Sequence, residues 1–207
     1  MTARSSFAID VPASVLARAR AGERAAFEQL YRWFERPVFT LALRMCGSRN
    51  EADEVLQETM LKLWSGIGGS GTNMYRGENG SPFWGWLRQV AVNEALMRLR
   101  RERRLAQELD GIAIDDLAED DAAPPPAAAD AALLQRALGE LPAATRSVLW
   151  LYHGEGYTHE EIAAAMQRST SFSKSQLARG TRRLRMLLQV PEPIGSTPAC
   201  KKEQAHA

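Results

Sequence analysis

The chain has 207 residues, 45% hydrophobic and 25% charged, and its 26 basic and 25 acidic residues leave a formal net charge of +1. That length fits one or two domains, and the ordinary apolar content excludes global disorder. No apolar run approaches the roughly 20 residues of a membrane span, and Phe7-Ala8-Ile9 is too short for a secretory core, so a cytoplasmic protein without membrane insertion is expected.

The first long element is helical in pattern. Phe27, Leu30, Tyr31, Phe34, Val38, Leu41, Ala42 and Met45 recur at helical spacing, and Pro37 is expected to divide or kink the stretch. Ser48-Arg49-Asn50-Glu51 has capping-box spacing. The helix behind it carries Val55, Leu56, Thr59, Met60 and Leu63 on one face. Asp53, Glu54, Gln57 and Glu58 form its acidic and polar face. A solvated face is the simplest account; beside Trp64 the same stripe can dock a basic partner helix.

Ser65 to Ser81 holds six glycines, too many for a helix interior. The loop lacks the Gly-Lys-Ser/Thr ending of a nucleotide-phosphate loop. It carries Asn73, Tyr75 and Arg76 and is followed by Phe83, Trp84 and Trp86. Aromatic and Arg groups of this kind can stack on unpaired bases and hydrogen-bond to them. Taken alone, a solvent loop beside an aromatic core is the better account. Ser81-Pro82 then reads as an N-cap and first helical residue, opening a helix from Phe83 through Leu87, Val90, Ala91 and Leu99 into Arg100-Arg101-Glu102-Arg103-Arg104.

The charge is not evenly spread. Residues 1–104 hold 16 basic and 11 acidic residues; residues 105–131 hold eight acids and no Lys or Arg; residues 132–207 hold ten basic and six acidic residues. Two basic segments are thus masked by an acidic connector. Pro124-Pro125-Pro126 stops any helix continuing through it, and the composition predicts an extended tether.

Four helices are expected beyond the tether. The first spans roughly residues 131–139, and Pro142 opens the second, with Val148, Leu149, Leu151 and Tyr152 apolar. Thr158-His159-Glu160-Glu161 is a capping box for a short third helix with Ile162, Ala163 and Met166. After a break near Arg168-Ser169 a long basic helix runs to about Leu188. A short helix, a tight break and a longer basic helix fit a helix-turn-helix. No segment shows convincing strand alternation, so the fold class is all-α.

On a helical wheel, Ser173, Leu177, Gly180, Leu184 and Leu188 share the seam of the last helix. Ser171, Ser175, Arg179 and Arg182 lie opposite, flanked by Lys174, Arg183 and Arg185. Hydroxyl and guanidinium groups on an exposed face suit base edges and phosphates in a major groove. A basic run alone is usually a solvated face; the capped helix and tight break before this one favour DNA contact.

Metal and catalytic readings are weak. His153 and His159 have no nearby Cys, and Cys46 reads as a core thiol. Cys200 lies in a polar tail, where a redox or metal-sensing role is the weaker reading.

In this order the parts resemble the extracytoplasmic-function (ECF) sigma factors of bacterial RNA polymerase. The stretch from Glu51 to Trp64 is similar to the family's core-polymerase-binding helix. Tyr75-Arg76-Gly77 and Phe83 to Asn93 resemble its −10-reading loop and helix. Leu141-Pro142, Tyr157 to Ala163, and Lys174-Ser175 through Leu184 resemble its −35-reading helix-turn-helix.

The resemblance implies two small helical domains. Residues 14–104 would be a region 2-like domain and residues 131–188 a region 4-like helix-turn-helix domain. Residues 105–130 would be a flexible acidic linker threading polymerase channels, and residues 189–207 a disordered tail. Asp53, Glu54, Gln57, Glu58 and Trp64 would face core polymerase. Asn73, Tyr75 and Arg76 would capture a flipped base, and Arg88, Asn93, Arg98, Arg100 and Arg101 would hold the −10 duplex. Ser171, Lys174, Ser175, Arg179, Arg182 and Arg183 would bind the −35 element.

The implied partners are core RNA polymerase, promoter DNA and an anti-sigma factor; no cofactor, metal or enzymatic activity is implied. Ser171-Phe172-Ser173 departs from the family's apolar pattern, and Ser173 and Gly180 are expected to weaken the buried seam, leaving a less stable C-terminal domain or a shifted −35 preference. A helix-turn-helix regulator binding operators as a dimer explains the C-terminal half, but not the acidic helix and Gly-aromatic loop. A module that binds only a regulatory protein is a third class.

Overall fold

The computed structural model describes residues 9–68, 75, 83–108 and 126–189, and for residues 105–108 and 126–129 the backbone alone. Among the described residues every regular element is helical. Helix α1 (Ala13–Arg20) follows Pro12 and buries Val15, Leu16 and Ala19. Helix α2 (Arg24–Cys46) buries a stripe of Leu30, Phe34, Val38, Leu41, Ala42 and Met45, the pattern its spacing predicts.

Pro37 does not divide α2. The helix runs through it, and Pro37 is itself buried in the packed face. Proline removes one intrahelical hydrogen bond. The apolar residues on both sides stay on one stripe only if the helix continues, and burying each large one is worth roughly 1.5–3 kcal/mol. Gly47 ends α2 in the left-handed region (φ +89°), its N–H donating to the Leu43 carbonyl at 2.9 Å.

Helix α3 (Arg49–Gly68) opens one residue after Ser48 and runs past the predicted loop start at Ser65, because Ile67 still finds the core. Helix α4 (Phe83–Glu108) buries Phe83, Trp84, Leu87, Ala91, Val92, Ala95 and Leu96. Phe34 of α2 stacks on Trp84 at 5.7 Å between ring centroids and meets Phe83 at 5.2 Å. These aromatic contacts tie α2 to α4, and α3 packs on both.

Helix α5 (Pro126–Gly139) precedes α6 (Ala143–Leu149), which continues as a single π-helical turn, Trp150–Gly154. Helix α7 (His159–Met166) has the predicted capping box: the Thr158 side chain accepts from the Glu161 N–H, and Glu161 accepts from the Thr158 N–H. Gln167 ends α7 in the left-handed region (φ 54°), turning the chain sharply. Helix α8 (Thr170–Leu187) is capped by the Ser169 side chain. Leu138, Leu141 and Leu149 form a small core with Leu184 and Leu187 packed against it.

Gly180 corrects one expectation. A Cβ there would stand 2.6 Å from both Leu149 Cδ1 and Thr145 Cγ2. The glycine does not weaken the seam; it lets α6 and α8 approach closely. The C-terminal helices also pack on the N-terminal bundle, and Val148, Leu151, Tyr157 and Ile162 share one buried cluster with α2, α3 and α4.

Candidate nucleic-acid interface

The outer face of α8 follows from its two buried small residues. Ser173 and Gly180 turn inward, so Ser171, Lys174, Arg179, Arg182 and Arg183 are exposed and Ser175 is half-buried. Ser173 is fully buried, yet its hydroxyl has a partner: the Oγ lies 2.9 Å from His159 Nδ1 at the start of α7. Phe172 is half-buried, packs against the core and sits under the Arg168 guanidinium. His153, His159, Lys174, Arg182 and Arg185 line a groove beside α8. Tyr152 stacks on His159 at 4.8 Å. The groove is rich in cations and faces solvent, which suits an anionic backbone.

A second groove lies between α3 and α4. Glu54, Gln57 and Glu58 line one wall, and Arg98 and Arg101 the other. Arg98 pairs with Glu54 and lies 3.8 Å from Glu102. Lys62 pairs with Glu94, a carboxylate that is largely buried in α4. Two side chains predicted for the −10 duplex therefore share a groove with three predicted for a protein partner. Asp53, which does not line this groove, is exposed. Trp64 is 49% exposed and meets Phe27 edge-on at 4.7 Å, with Leu61 exposed on the same helix. Phe27, Tyr31 and Trp64 make an apolar cleft flanked by Arg24, Glu28 and Arg32.

Tyr75 is buried. Its ring meets Phe83 edge-on at 5.1 Å, lies 5.7 Å from Trp86 and takes the Arg20 guanidinium over its face. Arg20 also donates to the Tyr75 carbonyl at 3.0 Å. In this arrangement the ring is a core group. Asn73 and Arg76 lie outside the described residues.

The remaining α4 candidates diverge. Asn93 is exposed and accepts from Gln89 at 3.1 Å. Arg88 and Arg100 turn toward the C-terminal helices. Arg88 donates to the Glu155 carbonyl at 2.8 Å, lies 3.4 Å from its carboxylate and covers the Tyr157 ring. Arg100 donates to the Ala165 carbonyl at 2.7 Å. Burial pushes the Glu155 carboxyl above the ordinary carboxylate range, with Arg88 opposing it. Burial likewise pushes the Tyr157 hydroxyl up to about 12.

Sequence reasoning missed Arg146. It is 7% exposed, and its guanidinium donates to the carbonyls of Met45, at 2.9 Å, and Cys46 at the end of α2. It also reaches the Gly139 and Leu141 carbonyls at 3.4 Å. A cation at a helix C-terminus meets the negative end of the helix dipole. The one available signal was a lone arginine in a helix with no other charged residue.

Comparison with known proteins gives two family matches. Sigma-70 region 2 covers residues 30–105, and Sigma-70, region 4 covers residues 131–184. The chain is 32% identical over 178 residues to the ECF RNA polymerase sigma factor SigM of Mycobacterium tuberculosis, covering 85% of this chain and 84% of that protein. It is 28% identical over 184 residues to the ECF RNA polymerase sigma factor SigE of Mycolicibacterium smegmatis, covering 85% of this chain and 68% of that one. Among solved structures, it is similar to the sigma factor RpoE in complex with the anti-sigma factor NepR from Bartonella quintana. The TM-score is 0.57 at 25% identity, over 79% of this chain and 97% of that one.

Proposed function

The chain belongs to the ECF sigma factors of RNA polymerase, and on that premise we propose which of its surfaces bind polymerase and which bind promoter DNA. As a sigma factor it binds core polymerase and directs initiation at promoters. The observation that supports the DNA assignment best is the outward row Ser171, Arg179 and Arg182, with Ser175 half-buried beside it, on the second helix of a capped helix-turn-helix.

In this reading residues 131–188 hold the −35 element through that row with Lys174 and Arg183. Residues 14–104 form the polymerase and −10 domain. Asp53, Glu54, Gln57, Glu58 and Trp64 meet the polymerase, with the Phe27–Trp64 cleft receiving an apolar side chain. Arg88, Asn93, Arg98, Arg100 and Arg101 hold the −10 duplex, while Asn73, Tyr75 and Arg76 take the flipped base. Residues 105–130 link the two domains. To take the flipped base, Tyr75 has to leave its aromatic cluster, a rearrangement driven by the stacking energy of the base, about 1–3 kcal/mol.

The chain acts by binding and carries out no covalent step of its own. By similarity to RpoE, solved in complex with the anti-sigma factor NepR, the chain binds an anti-sigma factor, and it works in the cytoplasm with its polymerase.

The test is reconstituted transcription. Added to bacterial core polymerase, the chain directs initiation at a restricted set of genomic start sites. Arg179→Ala and Arg182→Ala each reduce it roughly 5- to 150-fold, the cost of one lost specific contact. Trp64→Ala weakens co-elution with core. Operator binding as a dimer, with no response from polymerase, would sink the reading.

A further inference from the structure

Helix α1 lies ahead of residues 30–105, the part that matches Sigma-70 region 2. Val15, Leu16 and Ala19 seat it on the core, and Gly22 turns the chain just beyond it in the left-handed region (φ +82°). Arg20 therefore projects from a fixed backbone, in the last turn of α1.

Arg20 grips Tyr75 at two points. Its guanidinium donates to the Tyr75 main-chain carbonyl at 3.0 Å, across 55 residues of sequence. It also lies over the Tyr75 ring, 5.8 Å from the centroid. Phe83 and Trp86 of α4 hold the same ring, at 5.1 Å and 5.7 Å between centroids.

The two contacts respond differently when Tyr75 turns toward DNA. Rotation about χ1 swings the phenol out of the cluster and breaks the ring contact. The carbonyl belongs to the main chain and does not turn with the side chain, so the hydrogen bond survives. A charged donor on a carbonyl is a strong bond of its kind, whereas a cation over an exposed ring is weaker.

We propose that Arg20 is a positioning residue for base capture: it fixes the Tyr75 main chain as the pivot about which the ring moves between the aromatic cluster and the flipped base. It acts through Tyr75 and touches no base itself. Discrimination among bases needs the reading group held to within about 0.5 Å, which a bond to its own backbone supplies. The proposal rests on the assignment of Tyr75 to the flipped base, and adds to it a residue from a helix outside the region 2 match.

The experiment uses holoenzyme assembled from core polymerase and the full chain. The template is a promoter that the wild type uses, with its −10 bases randomised and each sequence counted in the transcripts. Tyr75→Ala marks the position that the ring reads. At that position Arg20→Ala should cut the base preference about five- to tenfold and leave the −35 preference unchanged. Arg20→Lys, which keeps the charge and a donor but not the planar fork, should recover part of it. Arg18→Ala removes the neighbouring cation of the same helical turn, which pairs with Glu23, and should keep the wild-type preference. A preference in Arg20→Ala equal to that in Arg18→Ala would overturn the proposal. So would an equal loss over every −10 sequence, the mark of a chain that only folds or binds core less well. If Tyr75→Ala alters the preference at no position, the assignment of Tyr75 falls and the pivot with it. If Arg20→Ala alone is without effect, that assignment stands and only the pivot fails.

Discussion

The Arg146 guanidinium lies on the open Cα of Gly47, so close that a Cβ at position 47 would stand 2.6 Å from Arg146 Cζ. Gly47 serves two needs at once. It adopts the left-handed turn that ends α2, and it leaves room for the cation that neutralises that helix end.

Gly47→Ala should therefore cost more than an ordinary glycine replacement. The left-handed conformation alone costs about 1–2 kcal/mol, and the displaced guanidinium adds to it. Thermal unfolding followed by circular dichroism should show a melting temperature lower by at least a few degrees. An unchanged melting temperature would mean that neither need is real.

Gly180→Ala tests the close crossing of α6 and α8. In an exposed helix the change would stabilise by about 1 kcal/mol. Here the added methyl meets Leu149 and Thr145 at 2.6 Å, and overpacking costs about 1–3 kcal/mol. Denaturant unfolding should give a net loss of stability. A gain would show that the two helices separate at no cost.

Cys46 is 4% exposed, and burial pushes its thiol up to about 12. At pH 8 its thiolate fraction should be on the order of one part in ten thousand. In a Cys200→Ser background, iodoacetamide should leave Cys46 unmodified in the native protein and label it on unfolding, as read by mass spectrometry. Rapid labelling of the native protein would contradict its burial.

Glu155 gives the pH dependence a sign. Its carboxyl is raised above 4.5 because burial outweighs the nearby Arg88. A raised folded-state value means stability that is fully present below the unfolded value and lost as pH rises through the folded one. The stability of wild type relative to Glu155→Gln should thus increase as pH falls from 7 toward 4.5. Parallel curves for the two proteins, from unfolding across that range, would mean that the carboxyl titrates normally.

Much of the local structure is legible in the sequence. The Thr158–Glu161 capping box, the α2 stripe and the outward row of α8 all follow from short-range spacing, and each takes the form its pattern predicts. Pro37 does not split the helix because its local cost is outweighed by a stripe extending two turns either side. Gly180 and Arg146 do mislead. Their roles depend on which helix arrives opposite them, and spacing along one helix says nothing of that. The same blindness hid the engagement of Arg88 and Arg100, since both read equally well as free cations. The family resemblance supplied what spacing could not, the assignment of faces to partners, but not how the two halves meet.

Ser173 occupies a seam position where a large apolar side chain is expected, and it holds His159 across the turn. Apolar surfaces in contact tolerate sliding, because their attraction has little direction. A hydrogen bond does not, because it weakens steeply when its angle opens. The joint between α7 and α8 is therefore indexed, like a keyed shaft, and the row of side chains we propose for DNA is carried with it.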